Sequence, residues 1–282
     1  MQVQWFPGHM AKTLRQLKDW LKLVEGLVEL RDARAPLSTA NPEVRKVGSG
    51  KKRFVVFTKA DLADPDGTRA WEEYFLNQDI PFFSVDPRDQ SSVKGLATFL
   101  SQGKDRAIKR YMIVGVPNVG KSTLINAIGR RASAKTGNRP GVTRGLQWIT
   151  VNSQLELLDT PGLLWPKFAN ELTGLHLALI GSISDQRFDM EEAALHLLKI
   201  LEEQSPGALA DRYGLAFPED TSLAALYDYL IAIAAKRGHL RPGGIGDPNQ
   251  MAITLIKEFR AGQLGRITLE LPNDLQSFER EN

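Results

Sequence analysis

Cysteine is absent from the chain, which excludes disulfides and thiolate metal sites and suits a reducing compartment. Histidine is scarce too: four residues, scattered along the sequence, do not supply the clustered ligands of a zinc centre. Long apolar runs are missing. Residues 1–11 contain no apolar core of a secretory signal, and the most apolar stretch, Leu223 to Ala235, is interrupted by Asp228. It falls short of the about 20 residues that a membrane-spanning helix needs. No internal repeat or low-complexity tract is visible. The expectation is a soluble, cytoplasmic protein with no membrane insertion, and a monomer when free.

The 282 residues accommodate one domain of about 170 residues and another of about 110. Net charge is only +3, but residues 1–170 hold 26 Lys+Arg against 16 Asp+Glu, while 171–282 hold 10 against 17. The halves therefore differ in sign. Such asymmetry favours a polyanionic partner on the N-terminal half, and equally describes a solvated basic surface.

Residues 10–23 place Leu14, Leu17, Trp20 and Leu21 at helical spacing among lysines and arginines, which predicts an amphipathic helix. Strands are expected at 27–30, 51–58, 81–85 and 111–114, with helices at 69–76 and 92–100 between them. This alternation predicts a mostly parallel sheet with helices on both faces. Residues 146–151 and 155–158 read as a hairpin around Asn152-Ser153. Beyond Pro166 helices dominate, at 172–180, 190–203, 223–236 and 248–261. A domain boundary follows, with 1–168 as the α/β domain and 169–282 as a helical one.

The segment Gly115-Val116-Pro117-Asn118-Val119-Gly120-Lys121-Ser122, between a predicted strand and helix, is a phosphate-binding loop. Its glycines let backbone N–H groups curl around phosphate oxygens, Lys121 reaches the terminal phosphates, and the Ser122 hydroxyl can ligate Mg²⁺. Pro117, Asn118, Val119, Gly120 and Thr123 belong to the same cradle. Alone, the loop suits an ATPase, a GTPase or a small-molecule kinase. Asp159-Thr160-Pro161-Gly162 narrows this: its carboxylate can hold Mg²⁺ and the Gly162 amide can sense the terminal phosphate. Thr143 occupies the connection where a switch threonine closes onto Mg²⁺, with Thr136 as a rival. Thr58-Lys59-Ala60-Asp61 then selects the base, because the Asp61 carboxylate can accept guanine N1–H and N2–H₂ while the Lys59 stem packs along the ring. Thr58 stands where asparagine is usual. Ser84 and Val85, ending the next strand, fit the remaining base-contacting loop.

The guanine motif precedes the phosphate loop, the reverse of the ordinary order, so the expected fold is a circularly permuted P-loop GTPase followed by an α-helical domain. Together with Trp5-Phe6-Pro7-Gly8-His9-Met10, Arg31-Asp32-Ala33-Arg34-Ala35-Pro36 and Pro140-Gly141-Val142-Thr143, this order resembles the YlqF group of circularly permuted GTPases. The resemblance covers roughly residues 4–170, and the helical tail more loosely. It implies GTP and GDP as ligands, Mg²⁺ as cofactor, and a role in late maturation of the large ribosomal subunit, with hydrolysis stimulated by that particle and its rRNA as a contact.

Leu163 follows Gly162, where many GTPases place the glutamine that orients the attacking water. A hydrocarbon side chain cannot do this, and the resemblance implies His9 as the catalytic substitute beside Lys121 and Thr143. Similar GTPases with asparagine at the Asn118 position ligate K⁺ there, which implies a K⁺ requirement. Lys236 to Arg241 concentrates charge in the acidic half and is the candidate RNA patch of the helical domain. A nucleotide-gated switch for a protein or membrane-surface partner is the alternative reading.

Overall fold

The computed structural model describes residues 16–102, 107–136, 147–165, 168 and 170–275, with backbone only for 130–136. These residues fall into two compact units, one running from 16 to 170 and including 270–275, the other spanning 171–269.

In the first unit, β1 (Gly26–Asp32), β2 (Lys52–Thr58), β3 (Phe82–Ser84), β4 (Lys109–Gly115), β5 (Gln147–Asn152) and β6 (Leu155–Asp159) form one sheet. The order is β3-β2-β1-β4-β6-β5. β1 runs parallel to β2 and β4, β2 to β3, and β4 to β6, while β5 is antiparallel to β6. Strands covered on both faces need apolar residues on both, and Phe54–Phe57 and Tyr111–Val114 are buried without interruption.

Helices α1 (Pro42–Val47), α2 (Pro65–Asn77) and α3 (Gln90–Ser101) each begin at a side chain that accepts backbone N–H bonds, from Asn41, Asp64 and Asp89 respectively. Such caps satisfy donors that a first helical turn cannot satisfy itself. α4 (Lys121–Thr136) follows the phosphate loop. Of the predicted N-terminal helix, residues 16–21 are described and helical. Leu17 and Leu21 pack there with Leu27, Val44, Met112, Val114 and Leu158, while Val55 and Phe57 meet Trp71 and Phe75 of α2. From the opposite side of the pleat, Phe54 and Tyr111 form an edge-on aromatic pair, and Phe54 also meets Phe99 of α3. Helices thus cover both faces.

The chain winds outward from β1 to β3, then returns to place β4 on β1's other side. That reversal between β1 and β4 is a topological switch point, where the carboxyl ends of open parallel sheets leave a crevice for ligands. Asp32, Thr58, Gly115 and Asp159 all terminate strands at this edge.

The second unit contains α5 (Glu171–Leu179), α6 (Met190–Gln204), α7 (Ala208–Tyr213), α8 (Leu223–Lys236) and α9 (Pro248–Arg260). Arg260 donates to the carbonyls of Leu179 and Ala178 at the end of α5 and pairs with Asp185, satisfying acceptors left open by a helix C-terminus. Glu258 receives Arg212, Arg237 and the Tyr213 hydroxyl. Burial and this neighbouring carboxylate push the Tyr213 pKa up.

Residues 270–275 were expected in the helical domain, but they return to the first unit. The buried Glu270 carboxylate accepts the backbone N–H of Leu37 at 2.6 Å and of Ser38 at 3.0 Å, as well as the Ser38 hydroxyl. Trp71 Nε1 donates to the Glu270 carbonyl at 2.9 Å, and Leu275 packs on the aromatic cluster of α2.

Candidate functional site

The phosphate loop leaves β4 at Gly115 and enters α4 at Lys121. Two of its residues have positive φ, Asn118 at 59° and Gly120 at 100°. The second is a conformation that a side chain rarely tolerates, while Thr58 lies beside it in ordinary contact, its Oγ1 3.5 Å from where a Cβ on Gly120 would stand. Around the loop lies a cavity of about 490 Å³ lined by Lys59, Pro117, Asn118, Lys121, Ser122 and Gly162, among others. Ser122 and Thr123 are exposed at the start of α4, where unpaired amides and the helix dipole favour an anion.

Asp159 ends β6 beside this loop, and its Oδ1 lies 2.7 Å from Lys121 Nζ. The Thr160 hydroxyl donates to the Ile113 carbonyl at 2.7 Å, and Leu163 N–H donates to the Gly115 carbonyl at 2.9 Å. Gly162 approaches Pro117 so closely that a Cβ would stand 3.0 Å from its Cα. The Asp-x-x-Gly segment is therefore fastened to the phosphate loop at both ends. Leu163 is buried in the core cluster with Met112, Val114 and Leu158; its side chain does not face the cavity.

Thr58 ends β2 fully buried, with Oγ1 within bonding distance of the Val119 and Arg31 carbonyls. One hydroxyl thus replaces part of what an asparagine amide does, the tie to the phosphate loop. Lys59 has φ at 57°, and its Nζ donates to the Asn118 carbonyl at 2.8 Å while pairing with Asp32 at 3.0 Å. Asp61 is on the surface, with Oδ2 2.7 Å from Arg88 Nη2. Ser84 ends β3 beside Phe57. Val85 is buried and its N–H donates to the Phe57 carbonyl, so that amide is engaged in the sheet.

Asp32, which the sequence marks only as part of the Arg31-to-Pro36 motif, is the centre of the buried charge. Its carboxylate takes Arg34 Nε and Nη2 at 2.9 and 2.8 Å and also faces Lys59. Burial alone pushes its pKa up, but the Arg34 and Lys59 charges and bonds outweigh that and hold it far below the usual carboxylate range. Burial opposes charge on Arg34 in the same way, and the Asp32 carboxylate reverses the effect and raises its pKa. The sequence signal was available: a carboxylate closing an apolar strand beside the guanine motif. From the same loop, the Asn41 amide donates to the Leu163 carbonyl at 3.2 Å.

The structure brings together Thr58, Lys59, Pro117, Asn118, Val119, Gly120, Lys121, Ser122, Thr123, Asp159 and Gly162. His9 and Thr143 lie outside the described residues, as does the side chain of Thr136. Among the described residues no group of three or more His, Cys, Asp or Glu side chains is arranged to hold a metal. In the candidate RNA patch, Arg237 pairs with Glu258 and Arg241 with Asp247, while Lys236 Nζ donates to the Gly214 carbonyl. Much of that patch is neutralised locally.

The family described as "50S ribosome-binding GTPase" matches residues 110–212. Among curated proteins, the chain is similar to ribosome biogenesis GTPase A of Bacillus cereus, 42% identical over 288 residues that cover 97% of this chain and 95% of that one. Among solved structures, it is similar to a GDP-bound YlqF, with 31% identity and a TM-score of 0.71 over 92% of this chain and 100% of that one. A GNP-bound YlqF from T. maritima gives 31% identity and a TM-score of 0.67, covering 93% of this chain and 98% of that one.

Proposed function

Because the chain belongs to the ribosome biogenesis GTPase A family of circularly permuted GTPases, we propose that it is a GTP-gated factor in late maturation of the large ribosomal subunit. It hydrolyses GTP to GDP and phosphate and works in ribosome biogenesis. In the proposed cycle the GTP form docks on the immature large subunit, contacting rRNA, and hydrolysis stimulated by that particle releases it. The observation that carries this reading is the Lys121–Asp159 pair at 2.7 Å, which brings the phosphate-binding ammonium and a metal-holding carboxylate to one point beside the cavity.

The proposal assigns the site residues as follows. Lys121 binds the β- and γ-phosphates, with the Gly120 to Thr123 amides around them. Ser122, Asp159 and Thr143 are assigned to Mg²⁺. Ser122 and Asp159 fit this ion, because Mg²⁺ is usually held by one or two protein oxygens together with substrate phosphates rather than by an all-protein cage. Bound there, it would neutralise charge developing on the transferred phosphoryl group. Asp61 reads guanine, Lys59 lies along the base, and Thr58 fixes the phosphate loop beneath it. The buried Leu163 supports a catalytic group from elsewhere, and His9 is assigned that role. Asn118 is assigned to K⁺. The site of action is the cytoplasm; among the described residues no helix is long and apolar enough to cross a membrane.

Co-sedimentation with isolated large subunits tests the cycle. Enrichment with a non-hydrolysable GTP analogue over GDP is expected, and equal recovery in the two states would remove the gating. In a particle-stimulated GTPase assay His9→Ala should lower turnover with GTP affinity nearly intact. Wild-type turnover should fall when K⁺ is replaced by Na⁺; unchanged rates would remove His9 and the Asn118 cation site respectively.

A further inference from the structure

A guanine pocket needs an acceptor for N1–H and N2–H₂ and a donor for the O6 carbonyl. Asp61 offers the acceptor. In the connection after β3 every backbone N–H is engaged. Val85 N–H bonds the Phe57 carbonyl, Asp86 N–H bonds Ser92 Oγ, Arg88 N–H bonds Asp86 Oδ1, and Asp89 N–H bonds the Asp86 carbonyl. Residue 87 is proline and has no N–H. Thr58 supplies no amide, and its buried hydroxyl already lies against the Val119 and Arg31 carbonyls. Lys59 Nζ is held by Asp32 and the Asn118 carbonyl.

The Arg88 side chain is placed to supply what these groups do not. Its Nη2 lies 2.7 Å from Asp61 Oδ2, and Nε and Nη2 grip the Asp86 carboxylate at 3.1 and 3.2 Å. These contacts involve two of its three nitrogens. A guanidinium carries five N–H donors and accepts nothing, so Nη1 remains to donate. On the base, O6 is the immediate neighbour of N1, so with Oδ2 as the oxygen that takes N1–H, a donor fixed on Oδ2 stands next to the O6 position.

We propose that Arg88 is a specificity-determining residue of the nucleotide site, donating to guanine O6 from a guanidinium anchored on Asp61 and Asp86. The proposal rests on Asp61 reading the base. Adenine carries a donor at C6 and would meet the guanidinium with like polarity, while Asp61 rejects its unprotonated N1. Two side chains would then read one edge of the ring.

The test edits both the residue and the atom it is assigned to. Calorimetric titration compares wild type, Arg88→Ala and Asp61→Asn with GDP, 6-thio-GDP and XDP as probes. 6-Thioguanine retains N1–H and N2–H₂ but replaces O6 by a poor acceptor. A hydrogen bond from a charged donor corresponds to about tenfold or more in affinity. Wild type should therefore prefer GDP over 6-thio-GDP by about tenfold, and Arg88→Ala should lose about tenfold for GDP but less than about twofold for 6-thio-GDP, so the preference collapses. Equal losses for both ligands would make Arg88 only a scaffold for Asp61. Tighter GDP binding by Arg88→Ala would make it a competitor for the carboxylate. No change would exclude any contact. Each of these three results overturns the proposal. Asp61→Asn checks the premise separately, since an amide N–H matches the xanthine O2 acceptor and should shift preference from GDP to XDP. An unshifted ratio there would remove the reading of Asp61 while the Arg88 comparison still stands on its own result.

Discussion

Asp32 holds more of the site together than any motif residue that touches the cavity. Its carboxylate pairs with Arg34 and Lys59 at once, and Lys59 in turn reaches the phosphate loop at the Asn118 carbonyl. Removing one partner of a buried ion pair leaves an uncompensated charge and costs about 3 kcal/mol or more. Asp32→Asn should therefore lower the unfolding free energy obtained from urea titration by that order. The pH dependence gives a second signature. The native pKa of Asp32 is depressed by its cationic neighbours, so its contribution is complete above the unfolded value of about 3.9. That contribution is lost as pH falls below this value toward the native one. The stability gap between wild type and Asp32→Asn should be constant from neutrality down to mild acid and narrow below about pH 4; a gap independent of pH would show that Asp32 stays paired equally in both states. Asp32 was within reach of sequence reading, but a charge beside Arg31 and Arg34 looks like a solvated loop until β1 is known to be covered on both sides. Arg88 was harder still. Asp86-Pro87-Arg88 reads as a turn, and only the engagement of each neighbouring N–H gives its side chain a role.

At the scale of elements, β6 and the residues after it combine chemistry with core packing. Asp159 faces Lys121 while Leu163 and Leu164, only a few residues on, are buried. Placing the glutamine common in other GTPases at this position would put an amide into the cluster of Met112, Val114 and Leu158. Leu163→Gln should cost about 2 kcal/mol, the order for a polar group buried without partners, and should leave GTP turnover no faster. A stable variant with raised turnover would mean that residue 163 can reach the attacking water. The strands were legible as short apolar runs, and the longer helices because their pattern repeats over several turns: the sequence bounds 223–236 coincide with α8, and those of α6 and α9 differ by one residue. Two short helices escaped. α1 and α7 have six residues each, less than two turns, too few for a face to repeat. Glu270 was invisible for a different reason. It pairs with Ser38, 232 positions away, and no local pattern marks a carboxylate that closes over a distant backbone.

Over the whole molecule, permutation changes what each chain connection joins. The guanine strand β2 comes before the phosphate-loop strand β4, yet β4 still lies between β1 and β6, so the nucleotide edge is rebuilt from segments in a different order. The helical unit is entered shortly after Gly162 and left at Glu270, whose carboxylate closes on Leu37 and Ser38. Within the first unit, Asn41 from the same loop as Ser38 donates to the Leu163 carbonyl. Charge asymmetry was readable from composition, but its use was not. Arg53 pairs with Glu29, Arg110 with Glu156 and Arg237 with Glu258, so a count of lysines and arginines overstates the surface available to RNA. The proposed cycle turns on hydrolysis of GTP triggered by the large ribosomal subunit. Phosphate release measured in K⁺ with GTP and with ATP, each with and without isolated large subunits, tests it most directly. Slow GTP turnover alone is expected, with a rise of about tenfold or more with the particle, a floor below the rises of about a thousandfold or more that a catalytic group supplied in trans gives, and no comparable turnover of ATP. Equal use of ATP, or a GTP rate indifferent to the particle, would contradict it.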